Sequence, residues 1–134
     1  MSAFIEYRSA ATAYYPTASD SGSAENVLEG GPEDRMANKL YTLGQFLRGV
    51  APYVSVAMDA KIFPYGTALR IPEIEKKFNQ PITFLVVDTG GAFKGQGTGR
   101  IDICCDDEHQ ADTVIGYMMP VTLAVFPGLY GALS

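Results

Sequence analysis

Residues 86–105, "VVDTGGAFKGQGTGRIDICC", join two apolar runs through a loop that contains five glycines. Asp88 ends the first run, "ITFLVVD", and Asp102 lies inside the second, "RIDIC". An unpaired buried carboxylate is costly, so a charged group at such a position normally becomes neutral or finds a partner. Two aspartates that flank one glycine-rich loop therefore predict either a functional site or an ordinary glycine-rich hairpin whose aspartates cap turns.

The alternation of side chains along a strand gives each aspartate a direction. Ile101 and Ile103 share one face of the second run, so Asp102 faces away from them and lines a surface or groove. The same alternation puts Asp88 on the face of Phe84 and Val86, and we expect the loop to bring it close to Asp102. Two neighbouring carboxylates resist simultaneous ionisation, which raises the pKa of the pair and keeps one protonated near neutrality. A carboxyl group of that kind can act as a general acid.

The remainder of the chain predicts a compact, mainly β fold. Two segments, residues 71–79 and 106–118, have the composition of short helices. Residues 36–50 have the period of a helix with one apolar face, a capping box at Thr42 and Gln45, and Gly49 as its terminator. The apolar positions of this helix are Met36, Leu40, Leu43, Leu47 and Val50. The six runs that predict strands are "ATAYYP", "YVSVAM", "TALRI", "ITFLVV", "RIDICC" and "VTLAVF".

Composition excludes several classes of protein. The 134 residues fit one domain, and the net charge of −5 without a basic stripe argues against nucleic acid as a partner. We expect no membrane insertion, since no run approaches ~18 apolar residues. Cys104 and Cys105 are adjacent in a predicted strand, so they should point to opposite faces and stay free thiols. We expect no bound metal, because these cysteines diverge and His109 is the only histidine.

Three segments resemble a known family in their order along the chain. "SVAMDAKIFPYGTALRI", "VVDTGGAFKG" and "GRIDI" are similar to the three-aspartate (3D) domain of membrane-bound lytic transglycosylase A and related cell-wall proteins. The resemblance covers residues 11–16 and 53–126, which leaves about 17–52 as an insertion within a single domain, 1–134. It implies a six-stranded double-psi β-barrel with short helices and an inserted helical segment. The implied activity is cleavage of the β-1,4 bond between N-acetylmuramic acid and N-acetylglucosamine in peptidoglycan, without hydrolysis and without a cofactor.

The resemblance also implies roles for individual residues. Asp102 matches the catalytic acid/base and Asp88 the aspartate that assists it, while Asp59 matches the first aspartate, whose role we expect to be mainly structural. The loop after Asp88 carries Gly, Gln and Thr residues that the usual, shorter loop of the family lacks. These extra residues can displace the loop's contacts with substrate. The residues expected to bind substrate are Asp59, Tyr65, Thr89, Gly90, Gly91, Phe93, Lys94 and Arg100. Tyr65 is the favoured sugar-stacking residue among six candidate tyrosines, Tyr14, Tyr15, Tyr53, Tyr65, Tyr117 and Tyr130.

Two other functions stay open from the sequence. A non-catalytic, expansin-like barrel would bind cell-wall polysaccharide without cleaving it. The triplet Asp88-Thr89-Gly90 also matches the aspartic-protease signature, and a single copy would require a dimer. The partner that we expect first is the glycan strands of peptidoglycan.

The N-terminus has no general export signal, which predicts a protein that is cytoplasmic as synthesised. It would then act at the cell wall after export, or as a phage or secreted effector, with a secretion or phage apparatus as a further partner.

Overall fold

The computed structural model describes residues 4–15, 39–59, 61–88 and 97–126. Six strands close into a barrel in the order β1–β5–β2–β4–β3–β6, which confirms the mainly β class and the six-stranded barrel. None of the helices formed by the described residues has the length and apolar character needed to span a bilayer. The strands are β1 (Ile5–Tyr14), β2 (Val54–Ala57), β3 (Thr67–Arg70), β4 (Phe84–Asp88), β5 (Arg100–Cys104) and β6 (Met119–Phe126).

The pairing of the strands brings distant parts of the chain together. β1 pairs in parallel with β5, and β2 pairs in parallel with β4, while the other neighbours are antiparallel. Parallel neighbours need a long crossover between them. Because β1 and β5 are neighbours, the first strand of the chain lies beside Asp102, and Thr12 is the register partner of Asp102.

The first strand is longer than the sequence predicted. We expected it to begin near Ala11, but it begins at Ile5 and pairs antiparallel with β6 from Ile5 to Ala11. The extra segment keeps a period of two, with Glu6 and Arg8 exposed and Tyr7 half-buried. This alternation is typical of a half-buried strand, so a signal for the longer strand was present.

Side-chain alternation divides the buried residues into two clusters. The first cluster includes Val54, Val56, Ile101 and Ile103 and forms the core, while the opposite faces of the same strands contribute to a smaller second cluster. Cys104 belongs to the second cluster and Cys105 to the first, and both are free, as predicted. The second cluster consists of Tyr14, Leu40, Ala57, Ala68, Leu85, Val87 and Cys104.

The described part of the insertion packs against the barrel. α1 (Leu43–Leu47) has the predicted capping box of Thr42 and Gln45, and Gly49 follows its end with a φ of 80°. Leu40 and Leu43 are buried as predicted, but Val50 is 66% exposed, so its assignment to the apolar face was wrong. The helix ends before Val50, so Val50 lies in the following loop although it continues the periodic pattern of the sequence. Met36 lies outside the described residues.

Two further helical segments confirm the remaining predictions in kind, although each is shorter than expected. α2 (Pro72–Phe78) begins with a proline in its first turn and ends at Asn79, which is left-handed with a φ of 55°. α3 (Glu108–Gln110) is capped by the side chain of Asp107 and continues as one π-helical turn, Ala111–Ile115. α3 and the π-helical turn form one wall of the candidate site.

Candidate active site

Asp88 and Asp102 occupy strands on either side of β2. Ala57 is the register partner of both residues, Asp88 in the parallel strand β4 and Asp102 in the antiparallel strand β5. A register shift follows Val56, whose partner is Val86, so Val87 is skipped before Asp88. Such an irregularity re-aims the side chains beside it. The simple alternation that grouped Asp88 with Phe84 and Val86 was therefore wrong, because the shift pairs Asp88 with Ala57 of the second cluster.

Asp102 borders an open pocket of about 480 Å³. The floor comes from β1 and β5, and one wall comes from α3, the π-helical turn and the two residues after it. The hydroxyl of Thr12 donates a hydrogen bond to Oδ1 of Asp102 over 3.0 Å, which fixes the orientation of the carboxyl group. The described residues that line the pocket are Thr12, Ala13, Tyr15, Arg100, Asp102, Glu108, Ala111, Asp112, Gly116 and Tyr117.

The carboxyl group of Asp102 is a weaker acid than usual. Burial raises its pKa from 3.8 to about 6, and this effect outweighs the Thr12 hydrogen bond and the positive charge of Arg100, which both lower it. The raised pKa was expected, but it was attributed to repulsion from Asp88, whereas burial is the main cause in the structure. A half-buried carboxyl group that titrates near pH 6 can donate and accept protons close to neutrality.

The raised pKa predicts that ionised Asp102 destabilises the fold. Because the folded pKa lies above the unfolded value, the contribution to stability is full below about pH 4 and is lost as the pH rises through about 6. We expect Asp102→Asn to increase the free energy of unfolding by ~1–3 kcal/mol at about pH 7.5, with little effect at about pH 4. Urea denaturation of both proteins at the two pH values measures this difference. A variant that is equally destabilised at both would contradict the burial argument.

Asp88 is buried beneath the site rather than exposed in it. Only 3% of its surface is accessible, and it does not belong to the described residues that line the pocket. Asp88 affects the pKa of a residue in the second cluster. Burial raises the pKa of Tyr14 well above its usual value, with further increases from Cys104, Asp88 and Asp102. The pKa of Tyr14 therefore depends on both aspartates.

Asp59 connects two loops near the barrel opening. Its Oδ1 accepts a hydrogen bond from the backbone N–H of Lys61, and its Oδ2 accepts one from Gly97, each over 3.0 Å. The side chain is 4% exposed. These contacts fit the expected structural role, because Gly97 begins the approach to β5 and hence to Asp102.

We expect Asp59→Ala to destabilise the fold by ~1–3 kcal/mol, because two backbone N–H groups lose a charged acceptor. Asp59→Asn retains one carbonyl acceptor and should lie between the wild type and the alanine variant. Thermal denaturation measures the series. Equal stability of all three proteins would show that these hydrogen bonds contribute nothing.

The eight residues predicted to bind substrate fall into four groups, of which Asp59, with its two backbone hydrogen bonds, is described above. Arg100 lines the pocket, and its contact with substrate stays a prediction. Tyr65 is half-buried against the second cluster and is absent from the described pocket lining. The predictions for Thr89, Gly90, Gly91, Phe93 and Lys94 lie outside the described residues.

Sequence reasoning missed most of the pocket wall. Thr12 lies 90 positions from Asp102, and only the β1–β5 pairing makes it a neighbour. Glu108 and Asp112 were predicted only as part of the short helical segment 106–118, without a place in a site. Among the described residues, no group of three or more His, Cys, Asp and Glu side chains is arranged to hold a metal ion.

The fold and the site define a small closed β-barrel with a carboxyl-lined pocket over the parallel pair β1 and β5. The chain belongs to the 3D domain family, whose model matches residues 54–126, more than half of its length. A search among curated proteins finds no significant match.

Solved structures of MltA from E. coli are similar to this chain. One crystal structure is 26% identical over 72% of this chain and 28% of MltA, with a TM-score of 0.45. An aspartate-to-alanine variant of this lytic transglycosylase, in its apo-2 form, is 23% identical over 69% and 26% of the two chains, with a TM-score of 0.46. A third structure, described as a unique lytic transglycosylase fold, is 25% identical over the same shares, with a TM-score of 0.44. The chain thus spans about a quarter of MltA.

Proposed function

We propose that this protein is a peptidoglycan lytic transglycosylase. It would cleave the β-1,4 bond between N-acetylmuramic acid and N-acetylglucosamine and leave a 1,6-anhydro end on the muramic sugar. The observation that supports this most is Asp102, a half-buried carboxyl group that borders an open pocket and whose pKa is about 6. Membership of the 3D domain family adds support. The sequence resemblance also implies that Asp102 is the catalytic aspartate.

One carboxyl group is sufficient for both proton transfers of this reaction. Protonated Asp102 donates its proton to the glycosidic oxygen as the bond to the anomeric carbon breaks. The resulting carboxylate then accepts the proton of the muramic C6 hydroxyl, whose oxygen closes on the anomeric carbon. Asp102 ends protonated again, and no water is consumed.

The remaining groups around Asp102 support this cycle. The Thr12 hydroxyl donates to Oδ1, which holds one oxygen in place. Arg100 opposes the effect of burial, so the pKa stays low enough for Asp102 to release its proton. We propose that the carboxyl group of Asp88 helps to stabilise the positive charge that develops on the sugar ring.

Mass spectrometry of purified sacculi after incubation with the protein tests the proposal. Lytic cleavage gives soluble muropeptides with anhydro ends, which are lighter by one water than hydrolysis products. Glu108 and Asp112 also line the pocket, and a second carboxylate that activates water would instead give reducing ends. Reducing ends, or release of no fragments at all, would overturn the proposal.

The same experiment separates the alternatives. A non-catalytic wall-binding barrel would sediment with sacculi and release nothing. A dimeric aspartic protease would cut stem peptides or proteins and leave the glycan intact, but the burial of Asp88 gives that reaction little support. Because peptidoglycan lies outside the cytoplasm, we propose that the protein reaches it after export or as a phage or secreted effector.

A further inference from the structure

The pocket carries an aromatic residue that the reaction described above does not use. Tyr117 lines the pocket together with Asp102 and is 85% exposed, the largest exposure of any large hydrophobic residue among those described. Single exposed hydrophobic residues are ordinary on protein surfaces. The position of Tyr117 in the pocket and the backbone around it set it apart.

The backbone holds Tyr117 at a sharp corner. Gly116 has a φ of 71° and Met118 a φ of 56°, so the residues on both sides of Tyr117 have positive φ. Methionine in this region is strained by ~1–2 kcal/mol, a cost that persists only where surrounding structure enforces it. The N–H of Gly116 donates to the carbonyl of Ala111 over 2.9 Å, and Met119 pairs with Ala11 of β1. Tyr117 is therefore anchored on both sides and presented to solvent before any ligand arrives.

The chemistry of the pocket indicates what would cover this ring. A tyrosine side chain combines an apolar face with a polar end, as does a pyranose ring, which has an apolar C–H face and hydroxyl groups at its rim. Among the described residues, three carboxyl groups line the pocket, those of Asp102, Glu108 and Asp112, together with one guanidinium group, that of Arg100. This balance disfavours an anionic ligand and favours an uncharged sugar.

We propose that Tyr117 is a substrate-binding residue that stacks on an uncharged N-acetylhexosamine of the glycan strand, beside the bond that Asp102 cleaves. The inference rests on the proposed function and adds a sugar subsite on the helical wall of the pocket. The subsite contributes to affinity and to selection against charged polysaccharides. It does not take part in proton transfer.

Binding to a catalytically inactive protein tests this subsite without turnover. The Asp102→Asn protein is titrated with a neutral oligomer of β-1,4-linked N-acetylglucosamine, and its Kd is compared with that of the double variant carrying Tyr117→Ala. We expect the alanine variant to bind about tenfold more weakly, equivalent to ~1.4 kcal/mol, because the stacking surface is lost. Tyr117→Phe should retain most of the affinity, since the ring remains.

Control measurements make each outcome decisive. Val50→Ala removes another exposed hydrophobic side chain, outside the described pocket lining, and should leave the Kd unchanged. An oligomer of alternating glucuronate and N-acetylglucosamine should bind more weakly than the neutral one. Equal Kd values with and without Tyr117 would overturn the subsite and leave the proposed function intact. If the Asp102→Asn protein does not bind the neutral oligomer at all, the subsite is also overturned, whereas the proposed function fails only if sacculi yield no anhydro-muropeptides.

Discussion

Replacing Asp102 with asparagine is expected to slow the release of anhydro-muropeptides from sacculi by ~10²–10⁴-fold, because the amide can neither donate nor accept the transferred proton. Asparagine has nearly the same size and keeps an oxygen that can accept the Thr12 hydrogen bond. The pocket should therefore retain its shape. Initial rates of product release, followed by mass spectrometry, measure the effect.

The loss of activity should occur in a protein that is no less stable than the wild type near neutral pH. This combination separates a catalytic role from a structural one, since an important structural residue would lose activity through unfolding. Glu6→Gln is a matched control that removes an exposed carboxyl group from β1, outside the described pocket lining, and should retain the wild-type rate. A rate for Asp102→Asn within tenfold of the wild type would remove Asp102 from the mechanism.

Replacing Phe84 with alanine is expected to destabilise the protein by ~3–5 kcal/mol, a large share of the total stability of an ordinary domain. Phe84 is completely buried in the core, and its strand neighbours are Val54 of β2 and Leu69 of β3. The loss of the ring leaves a cavity between strands that cannot collapse without opening the barrel. Urea denaturation measures the change.

Phe4→Ala provides the comparison for this prediction. Phe4 is 48% exposed and contacts Phe126 with a centroid distance of 5.5 Å, so its loss should cost ~1 kcal/mol or less. Similar losses for Phe4 and Phe84 would mean that the described core does not determine stability. Product release by Phe84→Ala should fall in proportion to the folded fraction, because Phe84 contributes no group to the pocket.

Local sequence patterns predicted the elements of this fold well. The period of two in residues 100–104 put Ile101 and Ile103 in the core and Asp102 on the opposite face, and the structure has the same arrangement. Thr42 and Gln45 indicated the start of α1 because a capping box needs only residues three positions apart. The opposite directions of Cys104 and Cys105 follow from the same short-range geometry.

The candidate site was only partly predictable, because its geometry depends on long-range pairing. Asp88 was expected at the cleft, but an irregularity between β2 and β4 pairs it with Ala57 and leaves it buried. The raised pKa of Asp102 was expected from a neighbouring charge and arises mainly from burial, which requires the complete pocket wall. Tyr65 was favoured for sugar binding because of its neighbours Pro64 and Gly66, and that role stays a prediction, whereas Tyr117 is a tyrosine that the structure places in the pocket lining.

The sequence by itself determined the strands, the helix caps and the face on which Asp102 lies, because these depend on residues a few positions apart. Only the tertiary structure decided which strands are neighbours. It brought Thr12 to Asp102 across 90 positions and placed Glu108 to Tyr117 along the same pocket. Strand order in a closed barrel is set by the packing of the whole core, and no short stretch of sequence contains that information.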